Sequence, residues 1–186
     1  MNKEKIVEDL VKRYENLKFK IVEPVLDIGG GDGLFLESQG VRDALIVDAT
    51  NNKNPRYRYL VADISKRLPR LNIKFKTIFL TETLEHLKNP LYLLAQVYDL
   101  LDDNGYCYIS VPYTEIAPDH HHVCRWKLKE IVSQTKKLGF IPRVLQKRRR
   151  FKGLAVWLPH CWIVLSLKKR LENTNIKNKE IFNMEV

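Results

Sequence analysis

Apolar and polar positions along the chain follow two periodicities, one typical of helices and one typical of strands. Helical spacing of apolar residues predicts three helices, at Ile6–Leu17, Pro90–Leu101 and Trp126–Leu138. Short runs rich in β-branched and aromatic residues predict seven strands, at Val22–Ile28, Ala44–Val47, Tyr57–Ala62, Phe75–Leu80, Tyr106–Val111, Phe140–Leu145 and His160–Leu167. The second helix has the clearest start, because Asn89 can cap it and Pro90 suits its first turn.

Strands separated by helices favour an α/β fold with a parallel sheet. The last two predicted strands have no obvious helix between them, so we expect them to add an antiparallel pair at one side. Pro142 and the basic residues after it suit an exposed edge strand. Only residues 49–56 separate the second and third strands, so the crossover helix there should be short or missing. The prediction is a Rossmann-like, doubly wound sheet of seven strands, mostly parallel with an antiparallel final strand.

Composition places the chain among globular proteins. The hydrophobic share is 45% of 186 residues, which is ordinary for a folded domain and too high for a disordered one. No run approaches the roughly 18 apolar residues that a membrane span needs. The N-terminus is charged and has no apolar segment of the kind found in secretion signals. The expectation is a cytoplasmic protein without a membrane segment.

The charge balance is the unusual bulk property, with a formal net charge of +10. Lys and Arg are concentrated in residues 143–152, and a second cluster lies at 66–76. A positive field attracts polyanions, so nucleic acid is a candidate partner. Solubility alone would explain the same charge.

Four glycines follow directly after the first predicted strand, in the segment Asp27–Gly33. Glycines allow positive φ and let a ligand approach the main chain closely. A dinucleotide fingerprint, G-x-G-x-x-G, would need glycine where Leu34 or Leu36 stands. The spacing is instead D-x-G-x-G-x-G, and it ends a strand at the edge where open α/β sheets bind ligands.

This spacing resembles motif I of the class I S-adenosylmethionine (SAM)-dependent methyltransferases, and the resemblance extends over most of the chain. It implies that Asp48 holds the ribose hydroxyls, that Asp63 binds the adenine amino group, and that Ile64 packs on the adenine ring. The segment around the fourth strand resembles the ubiquinone-biosynthesis-like (type 11) subgroup. The resemblance implies a methyltransferase domain over residues 1–167, followed by a polar tail over 168–186. The implied cofactor-binding residues are Asp27, Gly29, Gly31, Gly33, Asp48, Asp63, Ile64 and Thr81.

Candidate chemistry follows the fourth strand, where the sequence has the pattern E-x-x-E-H. The SAM methyl group is already activated, so the protein must align the two reacting atoms and remove a proton from a hydroxyl acceptor. If a helix begins there, Glu82, Glu85 and His86 lie on one face. The loop after the fifth strand, with Asp119 and three histidines, should close over the same site. His122 or His120 is the candidate that points inward.

Two Glu and two His side chains are a plausible set of ligands for a divalent metal, with oxygen ligands favouring Mg²⁺ and imidazole favouring Mn²⁺. The candidate catalytic and metal-ligating residues are Glu82, Glu85, His86 and His122. This pattern resembles that of the metal-dependent terminal 2′-O-methyltransferases of small RNAs, although the segment after His122 departs slightly from their H-x-F-x-W. The ubiquinone-like subgroup also carries L-E-H-L, so the motif leaves both the substrate class and the metal open.

Other motifs narrow the acceptor. The residues after the fourth strand lack the N/D-P-P-Y/F pattern of enzymes that methylate exocyclic amines of bases, and no Pro-Cys dipeptide of the cytosine-C5 type is present. An acceptor oxygen, most simply of a small molecule, is therefore expected. The alternatives are a metal-dependent RNA 2′-O-methyltransferase and a non-catalytic, nucleic-acid-binding protein of the same fold. Trp157 could stack on a planar substrate or pack under the last strands.

Overall fold

The computed structural model describes residues 3–14, 16–50, 54–114, 121–147 and 161–170. The strands are β1 (Val25–Ile28), β2 (Leu45–Asp48), β3 (Arg58–Val61), β4 (Phe75–Thr81), β5 (Leu101–Thr114), β6 (Phe140–Lys147) and β7 (Cys161–Lys169). The helices are α1 (Lys3–Tyr14), α2 (Leu34–Ser38), α3 (Pro90–Leu100) and α4 (Leu128–Lys137), and a single 3-10 turn lies at Leu84–His86.

One sheet contains all seven of these strands, in the order β3-β2-β1-β4-β5-β7-β6. The pairs from β3 across to β5 are parallel, while β7 is antiparallel to both β5 and β6. The predicted doubly wound, mostly parallel sheet with an antiparallel final strand is confirmed. The strand order reverses between β1 and β4, so the ligand crevice of such a sheet is expected at the carboxyl ends of these two strands.

The far end of the sheet also follows the predicted arrangement. β6, which contains Pro142, lies at the edge, where a missing backbone N–H does not interrupt the sheet. β7 continues to Lys169, past the residue at which the sequence suggested that the tail begins. Residues 171–186 lie outside the described residues.

The junction between α3 and β5 differs from the prediction. The helix begins as expected, with the Asn89 side chain accepting a hydrogen bond from the backbone N–H of Tyr92 at 3.4 Å. It ends directly at β5, so residues 102–105 belong to the strand and not to a closing turn. Leu101 is fully buried opposite Phe75 of β4, and the register then shifts before the next pair. Because Leu101 is buried against β4, the strand begins earlier than the polar residues at 102–104 suggest.

The sheet separates two apolar cores. One face packs against α3 and α4, with Leu26 and Leu94 fully buried. The other face packs against α1 and α2 and is rich in aromatic rings, with Phe35 and Phe79 at 5.1 Å between centroids. Tyr14, at the end of α1, is almost completely buried in this second core. The first helix is therefore an integral part of the fold.

Helices are sparse around β2 and β3. Among the described residues that follow these two strands, 49–50, 54–57 and 62–74, the structure has no helix. This agrees with the short connection predicted after β2, of which residues 51–53 lie outside the described part. After β3, Leu68 and Leu71 cover the core in place of a helix. Among the helices that the structure describes, none combines the length and apolar character required to cross a membrane.

Candidate active site

The glycine turn after β1 can be formed only by glycine at key positions. Gly29 and Gly33 have φ of 74° and 78°, a region that other residues rarely adopt. A Cβ on Gly29 would lie 2.7 Å from the side chain of Thr83. A Cβ on Gly33 would lie 2.7 Å from the ring of Tyr57. The turn is therefore packed closely between β4 and the segment that leads into β3.

Asp27 lies beneath this turn and is fully buried. Neither of its carboxylate oxygens has a hydrogen-bond partner among the described residues. Burial, with a smaller contribution from the charge of Asp48, raises the pKa of Asp27 to about 8. A buried carboxyl without a partner is costly. It is also suited to receive a cationic or hydrogen-bonding group of a ligand.

Asp48, at the end of β2, holds the glycine turn in place. One carboxylate oxygen accepts a hydrogen bond from the backbone N–H of Gly31 at 3.0 Å. The other accepts from the backbone N–H and the hydroxyl of Thr50, both at 2.9 Å. A carboxylate has about four acceptor positions, so the group can still accept about one further hydrogen bond, from a ligand hydroxyl.

Asp63 follows β3 at the same edge of the sheet, because the backbone N–H of Ala62 donates to the carbonyl of Asp48 at 2.8 Å. Its side chain is exposed and accepts hydrogen bonds from the backbone N–H and hydroxyl of Ser65, at 3.0 and 2.5 Å. The Ser65 hydroxyl is the main cause that lowers the pKa of Asp63. Ile64 beside it is half-buried, as is Thr81 at the end of β4. The structure thus brings the predicted cofactor-binding residues to one edge.

Glu82 departs from the expected arrangement. The chain after β4 does not continue as an α-helix that would place Glu82, Glu85 and His86 on one face, because only a single 3-10 turn forms. Glu82 has φ of 54° and is the non-glycine residue with positive φ in the described chain. Its carboxylate accepts hydrogen bonds from the guanidinium of Arg13 and the hydroxyl of Tyr14. The side chain is therefore bound to α1.

The other three residues of the predicted set do come together. The ligand atoms of Glu85, His86 and His122 all lie within 4.8 Å of one another. Glu85 is almost fully buried, and the rings of His86 and His122 are 4.8 Å apart between centroids. Glu82 is not a member of this group, which we call the Glu-His-His cluster.

Hydrogen bonds hold the loop after β5 against the 3-10 turn. The carbonyl of Glu85 accepts from the backbone N–H groups of Val123 and Cys124, at 2.8 and 3.0 Å. Nδ1 of His86 lies 3.1 Å from the carbonyl oxygen of His121. Since a carbonyl oxygen can only accept, Nδ1 is the donor in this contact, and Nε2 is the ring nitrogen that remains for another partner. The described part of this loop, residues 121–127, thus contacts the 3-10 turn, while Asp119 and His120 lie outside the described residues.

Thr83 connects the Glu-His-His cluster to the glycine turn. Its hydroxyl donates to the carbonyl of Ile28 at 3.0 Å, and its own carbonyl accepts from the backbone N–H of His86 at 3.2 Å. No local signal in the sequence points to Thr83, because its contact with Ile28 depends on the pairing of β1 with β4. Arg13 was missed because its contact with Glu82 depends on how α1 packs against the sheet, and Tyr14 was expected only as a buried helix residue.

Part of the basic run lies at the other end of the sheet. Arg143 is exposed on β6. Residues 148–152 lie outside the described residues, and so does Trp157. In the second basic cluster, Lys66 pairs with Asp63 and Lys74 donates to the carbonyl of Asp99.

Comparisons with known proteins agree with this geometry. The family model for a methyltransferase domain matches residues 3–180. No curated protein sequence is significantly similar to the chain. The YcgJ protein from Bacillus subtilis has a similar structure, with a TM-score of 0.65 and 15% identity over 88% of this chain and 99% of that chain. A SAM-dependent methyltransferase from Thermotoga maritima gives a TM-score of 0.68 and 15% identity, over 89% of this chain and 92% of that chain.

The glycopeptide N-methyltransferase MtfA, complexed with SAM, has a TM-score of 0.62 and 14% identity, over 88% of this chain and 94% of that chain. At such identities the structural similarity shows the fold, and the family model adds the activity. The chain therefore belongs to the methyltransferase domain family and is a methyltransferase with the class I SAM-dependent fold.

Proposed function

We propose that the protein transfers the methyl group of SAM to a hydroxyl oxygen of a small molecule. The observation that carries this proposal is the Glu-His-His cluster, which Thr83 connects to the glycine turn. Methyl transfer to a hydroxyl needs a group that removes the hydroxyl proton or lowers the pKa of the hydroxyl. The similar folds do not fix the acceptor atom, since MtfA is an N-methyltransferase.

The cofactor would lie across the glycine turn. The cationic amino group of SAM would bind to Asp27, whose carboxyl is buried and lacks a partner among the described residues. A ribose hydroxyl would donate to the acceptor position that Asp48 retains. The adenine would lie between Ile64 and the Asp63 side chain. The backbone of Gly29, Gly31 and Gly33 would leave room for the methionine part, and Thr81 would border it.

A divalent metal fits the acceptor side. One carboxylate and two imidazoles with clustered ligand atoms would supply three ligands to such an ion. Two nitrogen ligands favour Mn²⁺ and similar ions over Mg²⁺. When bound, such an ion would lower the pKa of an acceptor hydroxyl. In this arrangement His86 would present Nε2, and the buried Glu85 would present a carboxylate oxygen.

A second candidate acceptor is the terminal 2′-hydroxyl of an RNA. It is favoured by the assembly of Glu85, His86 and His122, which the resemblance to the small-RNA enzymes implied. Exposed cations follow the cluster residues closely in the chain, at Lys88, Arg125 and Lys127. Such cations would suit the phosphates of a nucleic acid.

The test is transfer of labelled methyl from SAM to a metabolite extract, a small RNA panel and a protein panel. We expect labelling of an alkali-stable, oxygen-linked product in the metabolite fraction. The reaction should require Mn²⁺ and be lost in Glu85→Gln, while Glu130→Gln, an exposed acid of α4, should retain it. Label on nitrogen would contradict the oxygen acceptor, label on RNA would select the second candidate, and full activity in excess chelator would reject the metal.

A further inference from the structure

Four side chains from three segments that are far apart in the chain meet near the carboxyl end of β4, beside β5. Arg13 and Tyr14 end α1, Glu82 follows β4, and Ser110 lies within β5. The carboxylate of Glu82 accepts from the Arg13 guanidinium and, at 3.4 Å, from the Tyr14 hydroxyl. The Tyr14 hydroxyl is also 3.1 Å from the hydroxyl of Ser110. The contact between Arg13 and Glu82 is charge-assisted, and such hydrogen bonds are stronger than neutral ones.

The backbone at Glu82 is strained in a way that serves this contact. Glu82 has φ of 54°, a backbone conformation that is strained for a non-glycine residue. Its backbone N–H donates to both the carbonyl and the hydroxyl of Ser110, each at 3.2 Å. The surrounding structure therefore holds Glu82 in a conformation in which its carboxylate meets α1.

The location of this network is the mouth of the cofactor crevice. Glu82 directly precedes Thr83, whose side chain occupies the space beside Gly29. On the other wall, α1 packs against α2, which begins immediately after Gly33. α1 consequently contacts both sides of the crevice, and its C-terminal turn is bound to the β4 side through Glu82.

We propose that Arg13 and Tyr14 latch α1 over the cofactor crevice by binding Glu82, so that Glu82 is a positioning residue for methyl transfer and not a metal ligand. This inference rests on the proposed binding of SAM at the glycine turn. The latch must open for SAM to enter and for the demethylated product to leave. Breaking the Arg13–Glu82 pair should therefore speed cofactor exchange without changing the reacting groups.

The test is the dissociation rate of SAM, measured by stopped-flow displacement, in Arg13→Gln, Glu82→Gln and the double variant. Each single change should raise the rate about tenfold, and the double variant should be no faster than the singles because both remove the same contact. Arg13→Lys should restore part of the slow release. Lys5→Gln, which removes an exposed cation from the same helix, is the matched control and should leave the rate unchanged.

Turnover measurements distinguish a positioning role of Arg13 and Glu82 from a general loss of structure in the variants. In the single variants we expect KM for SAM to rise while kcat changes less than threefold, with far-ultraviolet circular dichroism unchanged. Unchanged dissociation rates, or effects of the two single changes that multiply in the double variant, would overturn the latch.

A calorimetric titration with Mn²⁺ separates the latch from the metal site. Glu82→Gln should bind Mn²⁺ as the parent protein does, while Glu85→Gln should bind it at least tenfold more weakly. Equal loss in both variants would show that Glu82 is a ligand and would overturn the assignment. If the parent protein binds no Mn²⁺, the metal part of the proposed function fails, whereas the dissociation rates still decide the latch.

Discussion

The two halves of the sheet contribute to the crevice in different ways. From β1 to β3 the strands have four residues each, and only the short helix α2 connects them in the described chain. There the proposed cofactor site consists of a glycine turn and acids at successive strand ends. From β4 onward the strands are 7 to 14 residues long and α3 and α4 cover one face. There the site depends on side chains from α1, the 3-10 turn and the loop after β5.

The two halves of the site are therefore specified by different features of the sequence. The cofactor half relies on backbone conformation, which a few residues specify locally. The acceptor half relies on contacts between residues far apart in the chain, such as Arg13 and Glu82, which are 69 positions apart. Changes in the first half should therefore abolish SAM binding, and changes in the Glu-His-His cluster should alter chemistry while SAM still binds.

The largest effect is expected for Gly29→Ala. Its φ of 74° and the 2.7 Å approach to Thr83 leave no room for a Cβ, so SAM affinity should fall at least about a hundredfold and stability by about 1–3 kcal/mol. Gly40→Ala is the matched control, because Gly40 also has positive φ but open space around it. It should lose about 1 kcal/mol and still bind SAM. Calorimetric SAM titration and thermal unfolding of both variants check this, and normal SAM binding by Gly29→Ala would contradict it.

Glu85→Gln should have a comparable effect, on turnover alone. Loss of a group that helps to remove the acceptor proton, in this proposal by holding the metal ion, costs about 10²–10⁴-fold in rate. The fold should persist, since glutamine has nearly the same volume. Initial rates at saturating SAM measure the effect, with Glu130→Gln as the control. A rate within threefold of the parent would remove Glu85 from the proposed chemistry.

Asp27→Asn should affect stability and SAM binding in opposite directions. The pKa of Asp27 in the folded protein is raised above its value in the unfolded chain. The contribution of the protonated carboxyl to the free energy of unfolding is therefore fully present below about pH 4 and is lost as the pH rises toward about 8. The parent protein without SAM should lose stability across this window. The variant should lack that loss and be more stable at about pH 9 by a few kcal/mol, since each pKa unit corresponds to about 1.4 kcal/mol. Urea unfolding across the pH range measures this.

The same variant should bind SAM more weakly at pH 7.5, because asparagine cannot offer a negative charge to the amino group. Equal stability profiles for the parent and Asp27→Asn would show that this carboxyl is not strained in the empty crevice.

The smallest effect concerns the backbone at Glu82. Glu82→Gly and Glu82→Ala both remove the carboxylate, but only glycine relieves the positive φ. Glu82→Gly should therefore be more stable than Glu82→Ala by about 1 kcal/mol in chemical denaturation. Equal stability, or a less stable glycine variant, would mean that the latch stores no backbone strain.

The sequence predicted the fold because its signals are local. Glycine spacing, strand-end acids and the Asn89 cap each specify the chain within a few residues, and the predicted sheet is confirmed. Glu82 is the exception, since the helix assumed after β4 is a single 3-10 turn. Neither this turn nor the contact of Glu82 with α1 can be predicted from the residues next to it in the chain. The roles of the individual site residues and the cytoplasmic location remain predictions.

The most direct test of the division between the two halves is a calorimetric titration of SAM into Glu85→Gln at saturating Mn²⁺. We expect a Kd within about threefold of the parent value, because most of the residues proposed to hold SAM lie in the β1–β3 half and Glu85 is not one of them. A Kd that rises in proportion to the loss of turnover would contradict it, since the two ends of the crevice would then not act separately.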